Sequence, residues 1–488
     1  MTPLAALLLA PLAGMLLLAA TGHRRLGAPL NILVSALTLW AAWALAVQVQ
    51  REGAFLAGHG YFYIDAFNVW LLLLTAFVGL TTALFSWSYM QHERDHRQIG
   101  PTRMRLYHAS YQAFVFAMLL AQSTDNLGIL WVAMEAATLA TVLLVSLYGT
   151  PESVEAAWKY FILCGVGIAQ ALFGSVLVFF AAERVIPNPE DALSWHLLYQ
   201  HAGQLEPVVL TLAFVFALVG YGTKVGLVPL HNWLPDAHSQ GPTPLSAVLS
   251  GLLLHVALYA VIRVKMLVDG SLQTPLAGHL LMGFGLVSFL VAALFLHRQK
   301  DIKRMYSYSS IEHMGLMTFA FGVGGPLATF AGLLHMTAHS LTKSALFASV
   351  GQAIRIAGTQ AMAHIRGLIR TQPKVGWALL LGTAAIAGFP PFGVFTGEFL
   401  ILMATMKTWP RLTGTLLVGL AVAFAGLFRN VQPMVYGAVP EGQHPIRVSV
   451  WPVYLHLALV LWLGLSIPPV LAQWFDQATR LISGGSLP

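Results

Sequence analysis

TKVGLVPLHNWLPDAHSQGPTPLS, residues 223–246, puts Lys224 at the end of a long apolar run and follows it with Pro229, Pro235, Pro242 and Pro244. Proline removes an intrahelical hydrogen bond and clashes with the preceding turn. A membrane helix carrying such a series opens in mid-span and offers backbone groups to water or ions. A second stretch repeats the device: AGFPPFGVFTGEF, residues 387–399, has Pro390 and Pro391 just before Glu398. Discontinuous spans in matching positions point to an inverted-repeat transporter.

The rest of the chain supplies the membrane context. Of 488 residues, 57% are hydrophobic and only 9% charged, with a mean hydropathy of +0.72. Soluble domains are far less apolar and far more charged, so the composition describes an integral membrane protein. Pro3 to Thr21 leads at once into another apolar run and is expected to be a first membrane span, not a cleaved signal. Runs of roughly 20 apolar residues recur about fourteen times, centred near residues 12, 38, 78, 115, 137, 167, 217, 254, 285, 312, 338, 391, 423 and 460. They lack the alternation of barrel strands, so the expected fold is all-α and polytopic. The proline breaks fall in the seventh and twelfth runs. That odd offset of five inverts the topology, giving two inverted five-helix repeats, each with a broken helix. The expected organisation is three N-terminal helices in 1–106, a first repeat in 107–268, an inverted repeat in 269–440 and a last helix in 441–488.

Charge bias orients the chain. About 17 lysines and arginines lie beside the loops that follow odd-numbered runs and about 7 on the other side, which puts both termini on the non-cytoplasmic side. The basic loops include His23-Arg24-Arg25, Arg94 to Arg105, Arg298 to Arg304 and Arg355 to Lys374. The net charge of +7 is scattered over these loops and not gathered into a stripe, so nucleic acid is not expected as a partner. A single cysteine, Cys164, can make neither an internal disulfide nor a cluster or structural zinc site. Redox chemistry is therefore expected on another chain, with no cofactor in this one.

The charges left inside the runs are the functional candidates. An ionised group at mid-bilayer costs at least ~2.5 kcal/mol, so it persists where it faces the bundle interior, a partner or water. Here these are Glu135, Lys224, His255, Glu312, His335, His339, Lys343 and Glu398. His335, His339 and Lys343 stand four residues apart, along one helix face, rising about 6 Å per step. Imidazole both donates and accepts a proton, and its reference pKa of about 6.5 lets small field changes alter its charge. The series therefore reads as a relay. Two metal patterns carry less weight: HERDH, residues 92–96, reads as a solvated loop, and the His335–His339 pair lacks a cysteine or nearby carboxylate.

Four strings in order, TKVGLVPLHNWLPDAHSQGPTPLSAVLSG, DIKRMYSYSSIEHMG, HMTAHSLTKSALF and GFPPFGVFTGEF, resemble the antiporter-like proton-channel subunits of respiratory complex I, Mrp antiporters and group-4 membrane-bound hydrogenases. YIDAFNVWLLLLTAFVGLTTALFS, EAAWKYFILCGVGIAQALFG and the Glu-His of SSIEHMG look most like the F component of hydrogenase-4. The resemblance implies that Glu135 pairs with Lys224 and that His255 stands where many members carry lysine. It further implies that His335, His339 and Lys343 form the eleventh-span ladder and that Glu398 is the terminal group. Lys159, His231, Asp236 and Glu312 become accessory candidates. It also implies a proton-translocating subunit of a redox-driven complex in a bacterial cytoplasmic membrane, with other membrane subunits and a peripheral redox arm as partners. The rival expectations are a sodium/proton antiporter module, or the ion-energised membrane subunit of an inorganic-carbon uptake system with a soluble zinc protein.

Overall fold

A computed structural model describes residues 2–96, 98–272, 274–440 and 448–485. The expected domain boundary at 441 lies outside the described residues, as does Arg97 of the second basic loop. The chain opens with α1 (Pro3–Thr21) and α2 (Gly27–Glu52), then a short hairpin, β1 (Phe55–Ala57) and β2 (Phe62–Ile64). Next come α3 (Ala66–Asp95), α4 (Pro101–Ser123), α5 (Leu127–Val145), α6 (Pro151–Ala182) and the short α7 (Trp195–Gln200). The middle of the chain holds α8 (Pro207–Val225), α9 (Trp233–Gln240), α10 (Thr243–Val248), one π-helical turn (Leu249–Leu253), α11 (Leu254–Leu272) and α12 (Leu276–Phe295). It continues with α13 (Ile302–Val323), α14 (Gly325–Ala357), α15 (Leu368–Thr371), α16 (Pro373–Ile386) and α17 (Gly393–Thr408). α18 (Pro410–Tyr436), α19 (Trp451–Leu465) and α20 (Pro469–Ser483) complete it.

Among the described residues, nine helices are long and apolar enough to cross a membrane alone, or ten if α19 and α20, bent by 73°, form one broken span. The helices α4, α13 and α14 are long enough but fall outside that set because they carry many polar side chains. Those side chains face neighbouring helices: His313, His335, His339 and Lys343 are all buried. The span from Thr243 through α11 is enclosed along its whole apolar window, whereas that of α6 is only 39% buried, so α10–α11 form the centre and α6 an outer wall. The expected single C-terminal helix is a bent pair.

Local sequence explains where the elements start and stop. Asp65 accepts from the backbone N–H groups of Phe67 and Asn68 at 2.9 Å, and the Asn68 side chain accepts from the Asp65 N–H, a reciprocal cap that starts α3. Asn126 caps α5, and Asp301 caps α13. The two expected breaks are present and share a construction. Gly226 (φ 84°) ends α8 and Gly388 (φ 67°) follows α16; both adopt the left-handed conformation that favours glycine, with Pro229 and Pro391 three residues on. Elsewhere glycine permits close packing. Gly278 and Gly285 on α12 face Gly315 and Gly322 on α13, and a methyl at Gly285 would fall 2.5 Å from the Phe319 nitrogen.

One correction concerns HERDH. Residues His92 to Asp95 form the last turn of α3, and His96 is its cap, because the helix outruns its apolar part. A second concerns Lys303, counted above with the loop charges. It lies in the first turn of α13, buried, with its Nζ donating to the Gly241 carbonyl at 2.6 Å.

At one end of the bundle Arg263 of α11 donates to Asp65 at 2.7 Å, and its guanidinium lies 4.1 Å from the Trp195 ring. Both partners are buried, so Arg263→Ala leaves a carboxylate stranded. Such a loss typically costs about 3–5 kcal/mol. We expect a fall in the thermal unfolding midpoint of the purified protein, which Arg263→Lys restores only in part because lysine lacks the planar fork. An unchanged midpoint would show that the pair contributes nothing.

Candidate functional site

Lys224 stands two residues before the left-handed Gly226, in the last turn of α8. Its side chain is wholly buried, and its Nζ lies 3.9 Å from Oε2 of Glu135 on α5, whose own side chain is 23% exposed. Trp233 on α9 steadies the break by donating its indole N–H to the Thr223 carbonyl at 2.8 Å, and its ring stacks on Tyr160 at 4.5 Å. Cys164 neighbours both charges.

The second group centres on α14. The three positions of the expected ladder do not bond to one another. Each turns to a different neighbour, because side chains one turn apart on a helix are held by what packs against them. His339 Nδ1 lies 3.0 Å from His255 Nε2 on α11. His335 Nε2 lies 3.0 Å from His313 Nδ1 on α13. The Lys343 ammonium donates to the Tyr306 carbonyl at 2.9 Å. The rings of His313 and His339 are 5.4 Å apart between centroids, and Glu398 Oε1 lies 3.9 Å from His313 Nδ1. The order in space is therefore His255, His339 and His313, with His335 and Glu398 both meeting His313 Nδ1, a cluster across α11, α14, α13 and α17.

Tautomers follow from the fixed acceptors. Nδ1 of His255 lies 2.8 Å from the Gly251 carbonyl. A carbonyl only accepts, so this nitrogen carries the proton of the neutral ring, and the other accepts from His339. Nε2 of His339 and Nε2 of His313 are buried with no protein partner among the described residues. Such nitrogens are free to take or give a proton.

Several sequence expectations find their place here and others do not. Glu135 and Lys224 come together as an ion pair. No hydrogen bond among the described residues joins them to His255. Glu312 is buried with Oε2 unpartnered and is an electrostatic neighbour of Lys343, but it makes no ion pair with it. Lys159 and Asp236 do meet, at 3.5 Å, yet in a half-exposed network with Glu155 and Arg304. His231 sits near that network, its ring 6.2 Å from Tyr308. Sequence reasoning passed over His313, which reads as the neighbour of Glu312 and not as a junction. It also passed over His238 on α9, buried with both ring nitrogens unpartnered among the described residues, stacked 4.8 Å from Phe347 and within electrostatic reach of Lys303 and Lys343. Its signal was present: a histidine just after the broken helix.

The donor set able to hold a metal differs from the pair weighed above. Ligand atoms of His313, His335 and Glu398 lie within 4.8 Å of one another, while His339 turns to His255. His92 and His96 bring their rings to 3.9 Å, but among the described residues no third ligand joins them.

Two interrupted helices with ionisable side chains sealed between them define a polytopic, antiporter-like membrane protein. Residues 124–424 match the family described as NADH:quinone oxidoreductase/Mrp antiporter, TM, and residues 59–98 match the N-terminus of complex I chain 5. The chain belongs to the NADH:quinone oxidoreductase/Mrp antiporter family. A hydrogenase-4 component F homolog of Methylacidiphilum infernorum is 46% identical over 478 residues, covering 98% of this chain and 99% of that protein. A chain of an archaeal membrane-bound sulfane sulfur reductase shares the fold, with a TM-score of 0.89 at 24% identity over 99% of this chain and 98% of its own. So does one of Thermus thermophilus respiratory complex I, with a TM-score of 0.81 at 22% identity over 98% and 99% of the two chains.

Proposed function

We propose that this chain is the proton-translocating, antiporter-like membrane subunit of a redox-driven complex of the hydrogenase or NADH:quinone oxidoreductase type. The buried run from His255 through His339 to His313, where His335 and Glu398 both meet it, carries that reading. Four of its five groups are imidazoles, which exchange protons readily. A hard cation is held by oxygen donors, which favours protons over sodium. Charge arriving in an adjoining subunit perturbs the Glu135–Lys224 pair, the lysine proton moves to the histidine run, and Glu398 releases or takes it up. Glu135 suits the receiving role because it is the partly exposed member of its pair.

The architecture we propose has fourteen spans, with inverted repeats over 107–268 and 269–440. The shared construction of the two breaks supports it, as does the single bundle of helices around α10–α11. We place the chain in a bacterial cytoplasmic membrane with both termini outside, its partners being other membrane subunits and a peripheral redox arm that carries the cofactors. The test is affinity purification from the native membrane, mass spectrometry of the partners, and proton uptake by vesicles holding the complex. Redox subunits should co-purify, and uptake should follow electron donor without need of sodium. Sodium-dependent uptake, or a large soluble zinc protein as the only partner, would defeat the assignment.

A further inference from the structure

The basic end of the molecule holds a cavity of about 410 Å³ between the α1–α2 turn, the end of α3 and the start of α4. Arg24, Arg25 and Arg94 line it, with Trp87, Met90 and His108, and its lining includes no aspartate or glutamate. The guanidiniums of Arg24 and Arg25 have no hydrogen-bond or ion-pair partner among the described residues, and that of Arg94 pairs with Asp95, at 3.7 Å. His108 is 2% exposed, and its Nδ1 lacks a partner among the described residues. Two guanidiniums without a counter-charge and a third held only by the exposed Asp95 repel one another around one concavity, which an anion would relieve. Its lining also has an apolar, outward-facing member: Trp87 is 43% exposed. Tryptophan beside arginine marks the boundary between headgroups and acyl chains, and basic pockets between membrane helices on the cytoplasmic side bind anionic headgroups.

We propose that this cavity seats the phosphodiester headgroup of an anionic phospholipid, with the arginines on the phosphate oxygens and Trp87 and Met90 against the glycerol and upper acyl carbons. Planar guanidiniums suit phosphate oxygens, which they bind in pairs. The site lies apart from the histidine run, so its occupancy fixes α1, α2 and α4 against α3 and is separable from proton transfer.

The test is native mass spectrometry of the purified full chain offered cardiolipin, phosphatidylglycerol, phosphatidylcholine or inorganic phosphate. Wild-type protein should retain an anionic lipid over phosphatidylcholine by at least about tenfold, and Arg24→Gln with Arg25→Gln should weaken that retention roughly thirtyfold. Arg411→Gln, an arginine outside the cavity, should change nothing, and equal unfolding midpoints establish that all variants are folded. Four results would overturn the proposal: equal retention of phosphatidylcholine, undiminished retention in the double variant, displacement of the lipid by inorganic phosphate at matched concentration, or a protein segment in place of lipid in the purified complex.

Discussion

Lys224→Met should abolish donor-driven proton uptake by vesicles carrying the complex, by roughly a hundredfold or more, while leaving assembly intact. The size follows from the loss of a positioned proton donor, worth about 10² to 10⁴ in rate. Assembly should survive because methionine matches the length of the buried lysine stem and removes an ammonium that has no hydrogen-bond partner among the described residues. Lys224→Arg sharpens the result. Arginine keeps the positive charge 3.9 Å from Glu135 but does not give up its proton. If the lysine transfers a proton, the arginine variant fails as completely as the methionine one. If it supplies only a fixed charge, arginine restores uptake and the transfer role is lost.

His313→Leu should have an effect of the same size, for a different reason. His313 joins the His255–His339 pair to both His335 and Glu398: it is bonded to His335, with its ring 5.4 Å from that of His339 and its Nδ1 3.9 Å from Glu398. Leucine fills the space but carries no proton, so the run is cut into two pieces that no longer meet. The control is His456, also buried but fully satisfied, with its ring nitrogens 3.0 Å from the Leu341 carbonyl and 2.8 Å from Thr81 Oγ1. His456→Leu should lower thermal stability by about 1–3 kcal/mol for the groups left unpaired and leave uptake close to normal. Full uptake in His313→Leu would mean that the two pairs do not act in series.

Much of this was legible in the sequence, and the reason is electrostatic. Bilayer composition makes every internal charge conspicuous, so Glu135, Lys224, His339 and Glu398 stand out without a structure. The breaks were equally visible because their prolines come in series beside a buried charge; a lone proline, Pro11 in α1 or Pro433 in α18, leaves its helix continuous. What one dimension could not supply was which helix faces which. The i, i+4, i+8 spacing of His335, His339 and Lys343 correctly puts them on one helix. It says nothing of α11 and α13, whose His255, His313 and Tyr306 carbonyl are the partners of His339, His335 and Lys343. Lys303 was misplaced for a related reason: a lysine near a helix start looks solvated until the fold folds Gly241 over it.

The glycine seam between α12 and α13 bears on conduction. With no side chains between the two backbones at Gly278, Gly285, Gly315 and Gly322, the helices form a single stiff beam, and α13 carries Tyr306, Glu312 and His313 on it. Every gap in the imidazole run that involves α13 is thus set by the thickness of a hydrogen atom on a neighbouring helix. Bulk added at this hinge-free joint would stretch the wire without touching any of its links.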